Sequence, residues 1–194
     1  MEPMIQKMKE RLLDLVVERA FQYNEETPFR LSSGKTSNYY LDCRKITLIP
    51  EGMECIGRLI FEKIKNLHIQ GIGGLTLGAD PIAYAVMAAA YQEHQYIKIF
   101  IVRKSEKDHG LKRKIEGDLH SGDRVVVVDD VLTTGQSTIT AIEKAKANGF
   151  LVERAIVLVD RQEEQGLQNV QSTGIPVEAL LSRDEIMARY HQTR

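Results

Sequence analysis

Two adjacent carboxylates and a cluster of hydroxyl side chains form the stretch of this sequence with the clearest chemical potential. Asp129 and Asp130 directly follow four consecutive valines at 125–128. A hydroxyl-rich turn at 133–138 comes next and contains one glycine, Gly135. Backbone amides and hydroxyls in such a turn can hold a phosphate, whereas paired carboxylates suit sugar hydroxyls or a hydrated Mg²⁺. A phosphorylated sugar is therefore the ligand that fits both halves of the pattern.

The elements around these residues are predicted to place them at one edge of a sheet. Four β-branched residues in a row are typical of a strand buried on both faces, and we expect this strand to end at the carboxylates. Helical spacing follows at Ile139, Ile142 and Ala145 and is closed by Gly149. Ligands bind at the carboxyl ends of strands in open α/β sheets, and the N–H groups of a helix N-terminus attract anions.

Strands alternate with helices along the rest of the chain, which predicts an α/β fold with a central parallel sheet. Further helices are predicted at 5–20, 52–64 and 81–91, and further strands at 39–44, 69–72, 98–102, 155–159 and 177–181. No shift in composition marks a domain boundary, so we expect a single domain over residues 1–194.

Composition argues against several classes of protein. Lys and Arg number 26 against 27 for Asp and Glu, a balance that favours neither a nucleic-acid nor a membrane-surface partner. No apolar run is long enough to cross a membrane, and no secretory signal opens the chain. Cys43 and Cys55 are too few for a disulfide framework and are predicted to be buried free thiols. We expect a soluble, cytoplasmic protein.

A basic segment follows the predicted strand at 98–102. Residues 103–114 contain six Lys or Arg side chains and almost no apolar residue. About twenty polar residues without a predicted element are unusual in a compact domain and are often a lid over a site. A basic lid could neutralise a pyrophosphate, whereas a solvated charged loop is the simpler alternative.

The segment Val-Val-Val-Val-Asp-Asp-Val-Leu-Thr-Thr-Gly at 125–135 resembles the phosphoribosyl-diphosphate (PRPP) loop of type I phosphoribosyltransferases. Four more segments resemble orotate phosphoribosyltransferases: 103–110 is similar to their flexible catalytic loop, 160–163 to their orotate-binding segment, 29–44 to their N-terminal hood, and 73–81 to their second ligand loop. Two positions depart from the pattern. Many members have Lys where this chain has Ser32, and some have Tyr-Lys at Leu77-Gly78.

The resemblance implies a type I phosphoribosyltransferase fold, in which helices flank a central parallel sheet and a small hood comes mainly from about residues 1–50. It implies transfer of ribose 5-phosphate from PRPP to orotate, giving orotidine 5′-monophosphate and pyrophosphate in pyrimidine biosynthesis. It also implies Mg²⁺ as cofactor, held mainly by substrate and water rather than by protein ligands. The implied assembly is a homodimer with shared active sites.

Individual roles follow from the same resemblance. The implied catalytic residues are Lys107, His109, Asp129 and Asp130. The implied orotate-binding residues are Thr133 and Arg161. The implied PRPP-binding residues are Arg103, Lys104, Lys107, His109, Asp129, Asp130, Val131, Leu132, Thr133, Thr134, Gly135, Gln136 and Ser137.

Two alternative functions stay open at this point. Another type I phosphoribosyltransferase, acting on a purine or a different pyrimidine, would not need Arg161, because its base lacks a carboxylate. A PRPP-sensing regulatory or nucleic-acid-binding protein on the same fold would show a basic face outside the segment 103–114. The near-neutral charge and the intact basic segment argue against the second alternative.

Overall fold

The structure, a computed structural model, describes residues 2–30, 36–104 and 115–194. The predicted site residues Lys107 and His109, and the departure at Ser32, lie outside these ranges. The N-terminal part contains α1 Glu2–Leu15, a π-helical turn Val16–Ala20, β1 Phe21–Tyr23, β2 Phe29–Arg30, β3 Thr36–Ser37, β4 Tyr39–Leu41, α2 Arg44–Thr47 and α3 Pro50–Ile64. The predicted helix over 5–20 is confirmed, but the predicted strand over 39–44 ends early, because Arg44 already begins α2.

The rest of the chain builds a sheet with helices around it. Its elements are β5 Gly71–Leu75, α4 Ala79–Gln92, β6 Lys98–Val102, β7 Ile115–Gly117, β8 Arg124–Leu132, α5 Gln136–Ala147, β9 Leu151–Asp160, α6 Gly166–Gln171, β10 Val177–Ser182 and α7 Arg183–Gln192. Among the described residues, six strands form the sheet in the order β10-β9-β8-β5-β6-β7. All neighbours are parallel except β6 and β7, which are antiparallel. The predicted α/β fold is confirmed.

Strand β8 lies inside this sheet and is covered on both faces. Val126 and Val128 belong to one apolar cluster, which includes residues of α1, α3 and α4. Val125 and Val127 belong to a second cluster with residues of α5, and all four valines are fully buried. Strict alternation breaks at the two carboxylates that follow, because Val131 packs against the first cluster and Leu132 belongs to the second.

The hood strands pair antiparallel and pack against the C-terminal helix. Tyr23 on β1 lies opposite Tyr39 on β4. Phe21 stacks on Tyr39, with ring centroids 5.7 Å apart, and meets the edge of Tyr190 from α7 at 5.4 Å. Aromatic burial of this kind compensates for strands of only three residues, which are too short to be stable alone.

Two composition-based expectations meet the structure here. Cys43 and Cys55 are buried and free, as predicted. Across the described ranges, none of the helices combines the length and the apolarity that crossing a membrane requires.

Candidate active site

Strand β8 does not end at the carboxylates. It continues for two residues beyond Asp130, because β9 runs alongside and supplies partners: Asp129 pairs with Val157, and Leu132 pairs with Asp160. The predicted strand end is therefore wrong by a few residues. The physical reason is that the length of a strand depends on its neighbour as well as on its own apolar run.

Asp129 lies on the face covered by α5 and is only 4% exposed. Its carboxylate accepts hydrogen bonds from the Thr138 hydroxyl at 2.9 Å and from the backbone N–H of Asp130 at 3.0 Å. Burial raises the pKa of Asp129, and the neighbouring Asp130 carboxylate raises it further. The buried Thr138 hydroxyl serves Asp129, so the prediction that it helps to cradle a phosphate is wrong.

Asp130, like Asp129, lies beside the loop after β5. Burial also raises the pKa of Asp130. A Cβ atom added at Gly78 would lie 2.5 Å from Asp130 Oδ1, so the backbone at 78 approaches this carboxylate too closely for a side chain. A lysine at position 78 would therefore require the Asp130 carboxylate to shift.

The hydroxyl-rich turn leads directly into the N-terminus of α5. Gly135 has φ of +80°, a left-handed conformation that glycine adopts without strain. A Cβ atom there would lie 2.8 Å from Val170 Cγ2, so the position also excludes a side chain on packing grounds. Thr134 and Ser137 are exposed, Thr133 is half-buried, and Leu132 is buried in the core. The turn thus presents hydroxyls and backbone N–H groups at the edge of the sheet.

A cleft of about 290 Å³ opens beside these residues. It combines the carboxylates with groups from the hood, from the loop after β5 and from the end of β6. Its lining residues are Leu41, Asp42, Cys43, Arg44, Leu75, Thr76, Leu77, Gly78, Lys104, Asp129, Asp130, Val131 and Ser137.

Arg103 and Lys104, adjacent in sequence, have different surroundings. Lys104 lines the cleft. The Arg103 guanidinium instead donates to Glu116 on β7 at 3.0 Å, and the Arg103 carbonyl accepts from Lys144 at 2.6 Å. Arg103 and Lys104 are the described residues of the basic segment that were predicted to meet pyrophosphate. Of these two, only Lys104 lines the cleft.

Arg161 follows β9 and is held by one residue of the hood and by one residue of its own segment. Its Nε donates to the Tyr39 hydroxyl at 3.0 Å, and its guanidinium lies 4.7 Å from the centre of the Tyr39 ring. Its Nη2 lies 3.3 Å from Glu163 Oε2, and the Tyr39 hydroxyl donates to Glu163 Oε1 at 2.6 Å. We call Arg161, Tyr39 and Glu163 the Arg161 cluster. The neighbouring Asp160 carboxylate accepts from the backbone N–H of Gln162 rather than from this guanidinium.

The segment that carries Arg161 is fastened to the hydroxyl-rich turn. The Asn169 side chain on α6 donates to the carbonyls of Thr134 at 2.9 Å and Glu164 at 3.0 Å. Gly166 packs against the Thr133 carbonyl so closely that a Cβ atom would lie 2.4 Å from its oxygen. Both segments therefore share one edge of the sheet, as the carboxyl ends of neighbouring parallel strands do.

Known proteins match the chain over nearly its whole length. It is 42% identical over 184 residues to the orotate phosphoribosyltransferase of Aquifex aeolicus (strain VF5), which covers 95% of this chain and 100% of that relative. The chain belongs to the orotate phosphoribosyltransferase family. No family model matches the sequence.

Solved orotate phosphoribosyltransferases share the fold. The enzyme of Mycobacterium tuberculosis H37Rv superposes with a TM-score of 0.79 at 35% identity, covering 92% of this chain and 98% of that one. Its complex with PRPP gives a TM-score of 0.75 at 31% identity, covering 93% and 99%. The predicted type I phosphoribosyltransferase fold and the predicted membership of this transferase family are confirmed. Both alternatives, a different base and a regulatory protein, lose their support.

Two residues that line the cleft, Asp42 and Arg44, had no role predicted from the sequence. Asp42 and Arg44 belong to the hood segment that carried the resemblance, yet their pattern gave no sign of where they would lie. Arg44 donates to Asp42 at 2.8 Å, and this contact lowers the pKa of Asp42. Their position across from Asp130 became apparent only when the chain was folded.

Proposed function

We propose that this chain transfers the ribose 5-phosphate group of PRPP to orotate, releasing pyrophosphate and forming orotidine 5′-monophosphate. The observation that carries the proposal is the shared edge of the sheet. The paired carboxylates at the end of β8 and the hydroxyl-rich turn that follows lie beside the Arg161 cluster, which follows β9. The relative from Mycobacterium tuberculosis, whose structure contains PRPP, supports the same substrate here.

The turn at 133–137 is the proposed site of the 5′-phosphate. Backbone N–H groups at the start of α5 and the hydroxyls of Thr133, Thr134 and Ser137 can donate to its oxygens, and the helix dipole favours the negative charge. Val131, Leu132, Gly135 and Gln136 contribute backbone, since Leu132 is buried and Gly135 has no side chain. The turn thereby fixes one end of PRPP.

Asp129 and Asp130 are the proposed acceptors for the ribose hydroxyls. Displacement of pyrophosphate leaves positive charge on the ribose ring, and nearby carboxylates stabilise that charge in a site from which water is excluded. Mg²⁺ is the proposed cofactor, held mainly by substrate oxygens and water, as this ion prefers. When bound, it would neutralise charge on the leaving pyrophosphate.

Lys104 and Arg103 are proposed to bind the leaving pyrophosphate together with Lys107 and His109, for which the support is the sequence resemblance alone. Lys104 lies in the cleft of its own chain, whereas Arg103 is paired with Glu116 away from that cleft. A homodimer with shared active sites is proposed from the sequence resemblance. The mass of the particle in solution tests it, since a monomeric active enzyme would contradict shared sites.

Arg161 is the proposed partner of the orotate carboxylate, with the Thr133 hydroxyl beside it. A guanidinium offers a planar pair of donors that matches a carboxylate.

We also propose a cytoplasmic location, which the buried free thiols Cys43 and Cys55 support.

The ultraviolet absorbance of orotate provides the test of this function. Purified protein with PRPP, Mg²⁺ and orotate is expected to lose the orotate signal, and omission of any one component is expected to abolish the loss. Added pyrophosphate is expected to restore the signal by reversing the reaction. Turnover of another base with none of orotate would contradict the role of Arg161, and no turnover of any base would contradict the whole proposal.

A further inference from the structure

The Arg161 guanidinium is constrained on two sides by one tyrosine. Tyr39 is only 8% exposed, and its hydroxyl accepts from Arg161 Nε at 3.0 Å while its ring lies beneath the guanidinium carbon at 4.7 Å. The hydroxyl also donates to Glu163 at 2.6 Å, so it is oriented by a second hydrogen bond. Burial, with the Glu163 contact adding to it, raises the pKa of Tyr39 to about 12, so the hydroxyl keeps its proton at neutral pH.

These contacts leave a defined part of the guanidinium for a ligand. An arginine can grip a carboxylate side-on, through Nε and Nη2, or end-on, through Nη1 and Nη2. Tyr39 already occupies Nε. Nη2 is buried and makes no hydrogen bond to any described residue, although Glu163 Oε2 lies 3.3 Å away. Nη1 is therefore the nitrogen that these contacts leave for a carboxylate.

We propose that Tyr39 is a positioning residue for orotate specificity, which fixes Arg161 so that its Nη1 meets the orotate carboxylate. The inference rests on the proposed function and adds a residue that acts through Arg161 rather than on the substrate. It also gives the hood a chemical task. Tyr39 comes from β4, 122 residues away from Arg161 in sequence, so folding of the hood and orientation of the base-binding arginine depend on one contact.

Tyr39→Phe is the variant that tests this role. It retains the ring, its stacking on Phe21 and its contact with the guanidinium, and it removes only the hydroxyl. Free rotation of Arg161 is expected to raise the KM for orotate about tenfold, the scale of one charge-assisted hydrogen bond. The KM for PRPP is expected to stay within about twofold, because the hydroxyl touches nothing that binds PRPP.

Tyr23→Phe is the matched control. Tyr23 lies opposite Tyr39 in the same hood sheet, and its hydroxyl donates to a glutamate, Glu25, at 2.7 Å, but it does not contact Arg161. This variant is expected to keep the wild-type KM for orotate. If both tyrosine variants lose orotate affinity equally, the hood is merely weakened, and the inference is wrong.

The inhibition constant of uracil, which is orotate without its carboxylate, separates positioning from the general shape of the pocket. In Tyr39→Phe it is expected to remain at the wild-type value while the KM for orotate rises. A parallel loss for uracil and orotate, or an unchanged KM for orotate, would overturn the inference while leaving the transferase reaction intact. A wild-type protein that does not turn over orotate would instead overturn the proposed function, and the inference with it.

Discussion

The two halves of the candidate site are built in different ways. In the β8 site, which comprises Asp129, Asp130 and the turn at 133–137, the candidate binding groups are nearly consecutive in sequence, and Thr138 holds Asp129 from nine residues away. In the Arg161 cluster, Glu163 is a near neighbour of Arg161 in sequence, but Tyr39 comes from the hood, 122 residues away. The proposed sugar-phosphate site is thus a contiguous motif, whereas the proposed recognition of the base depends on docking of the hood. Changes in the β8 site should therefore affect chemistry, and changes in the Arg161 cluster should affect selection of the base.

The largest expected effect is on the chemical step. Asp130→Asn is expected to lower kcat on the order of 10²–10³-fold, because it removes a charge that stabilises the developing positive ribose. The fold should persist, since the amide has nearly the shape of the carboxylate. Asp118→Asn is the control: that carboxylate is exposed and paired only with Lys98 among the residues that the structure describes. Steady-state kinetics on both variants check the prediction, and equal kcat values would show that the β8 site is not the reacting site.

Arg161→Gln is expected to produce the second largest effect, confined to one substrate. Loss of a charged pair of donors should raise the KM for orotate about 10–100-fold and leave the KM for PRPP almost unchanged. Arg58→Gln removes an arginine whose ion pairs with Glu54 and Glu93 lie outside the cleft, so it should alter neither constant. A comparable rise in both KM values for Arg161→Gln would contradict the separation between the two halves.

Gly135→Ala tests how rigidly the turn is held. A side chain must accept φ of +80° and also meets Val170, so we expect a loss of about 2–3 kcal/mol in the free energy of unfolding and weaker PRPP binding. Gly174→Ala separates the two causes, because Gly174 has φ of +79° and nothing within 4 Å of the added Cβ. It should cost about 1 kcal/mol and leave activity intact. Denaturant unfolding measures both, and equal losses would show that packing around the turn contributes little.

The smallest expected effect is a pH-dependent change in stability. Because the pKa of Asp129 is raised above 3.8 by burial and by Asp130, the folded state holds more protons than the unfolded state between 3.8 and the raised value. The charge on Asp129 therefore lowers stability progressively as pH rises through that window. Asp129→Asn cannot ionise, so its Tm relative to wild type should increase from about pH 4 to about pH 8. A difference in Tm that stays constant over this range would show that burial does not raise the pKa of Asp129.

Particular residues show why some of the fold was readable and some was not. The valines at 125–128 predicted a strand buried on both faces, because their β-branched side chains suit that environment whatever surrounds them. The edge strand β7 carries only three residues within a polar stretch, so no periodicity marked it. The end of β8 was misplaced because the pairing of Asp129 with Val157 belongs to β9 as much as to β8.

The sequence by itself determined the strand, the paired carboxylates, the glycine turn and the helix of the β8 site, because these are consecutive and their geometry follows from local backbone preferences. It also indicated the family, since several ordered segments resemble orotate phosphoribosyltransferases. Only the tertiary structure decided which residues lie opposite the β8 site and which residues hold Arg161. Three contacts join segments that are separate in sequence. They are the approach of Gly78 to Asp130, the pairing of Arg103 with Glu116, and the contact of Arg161 with Tyr39. Contacts of that kind arise from packing of the hood and loops onto the sheet, which no short sequence pattern encodes.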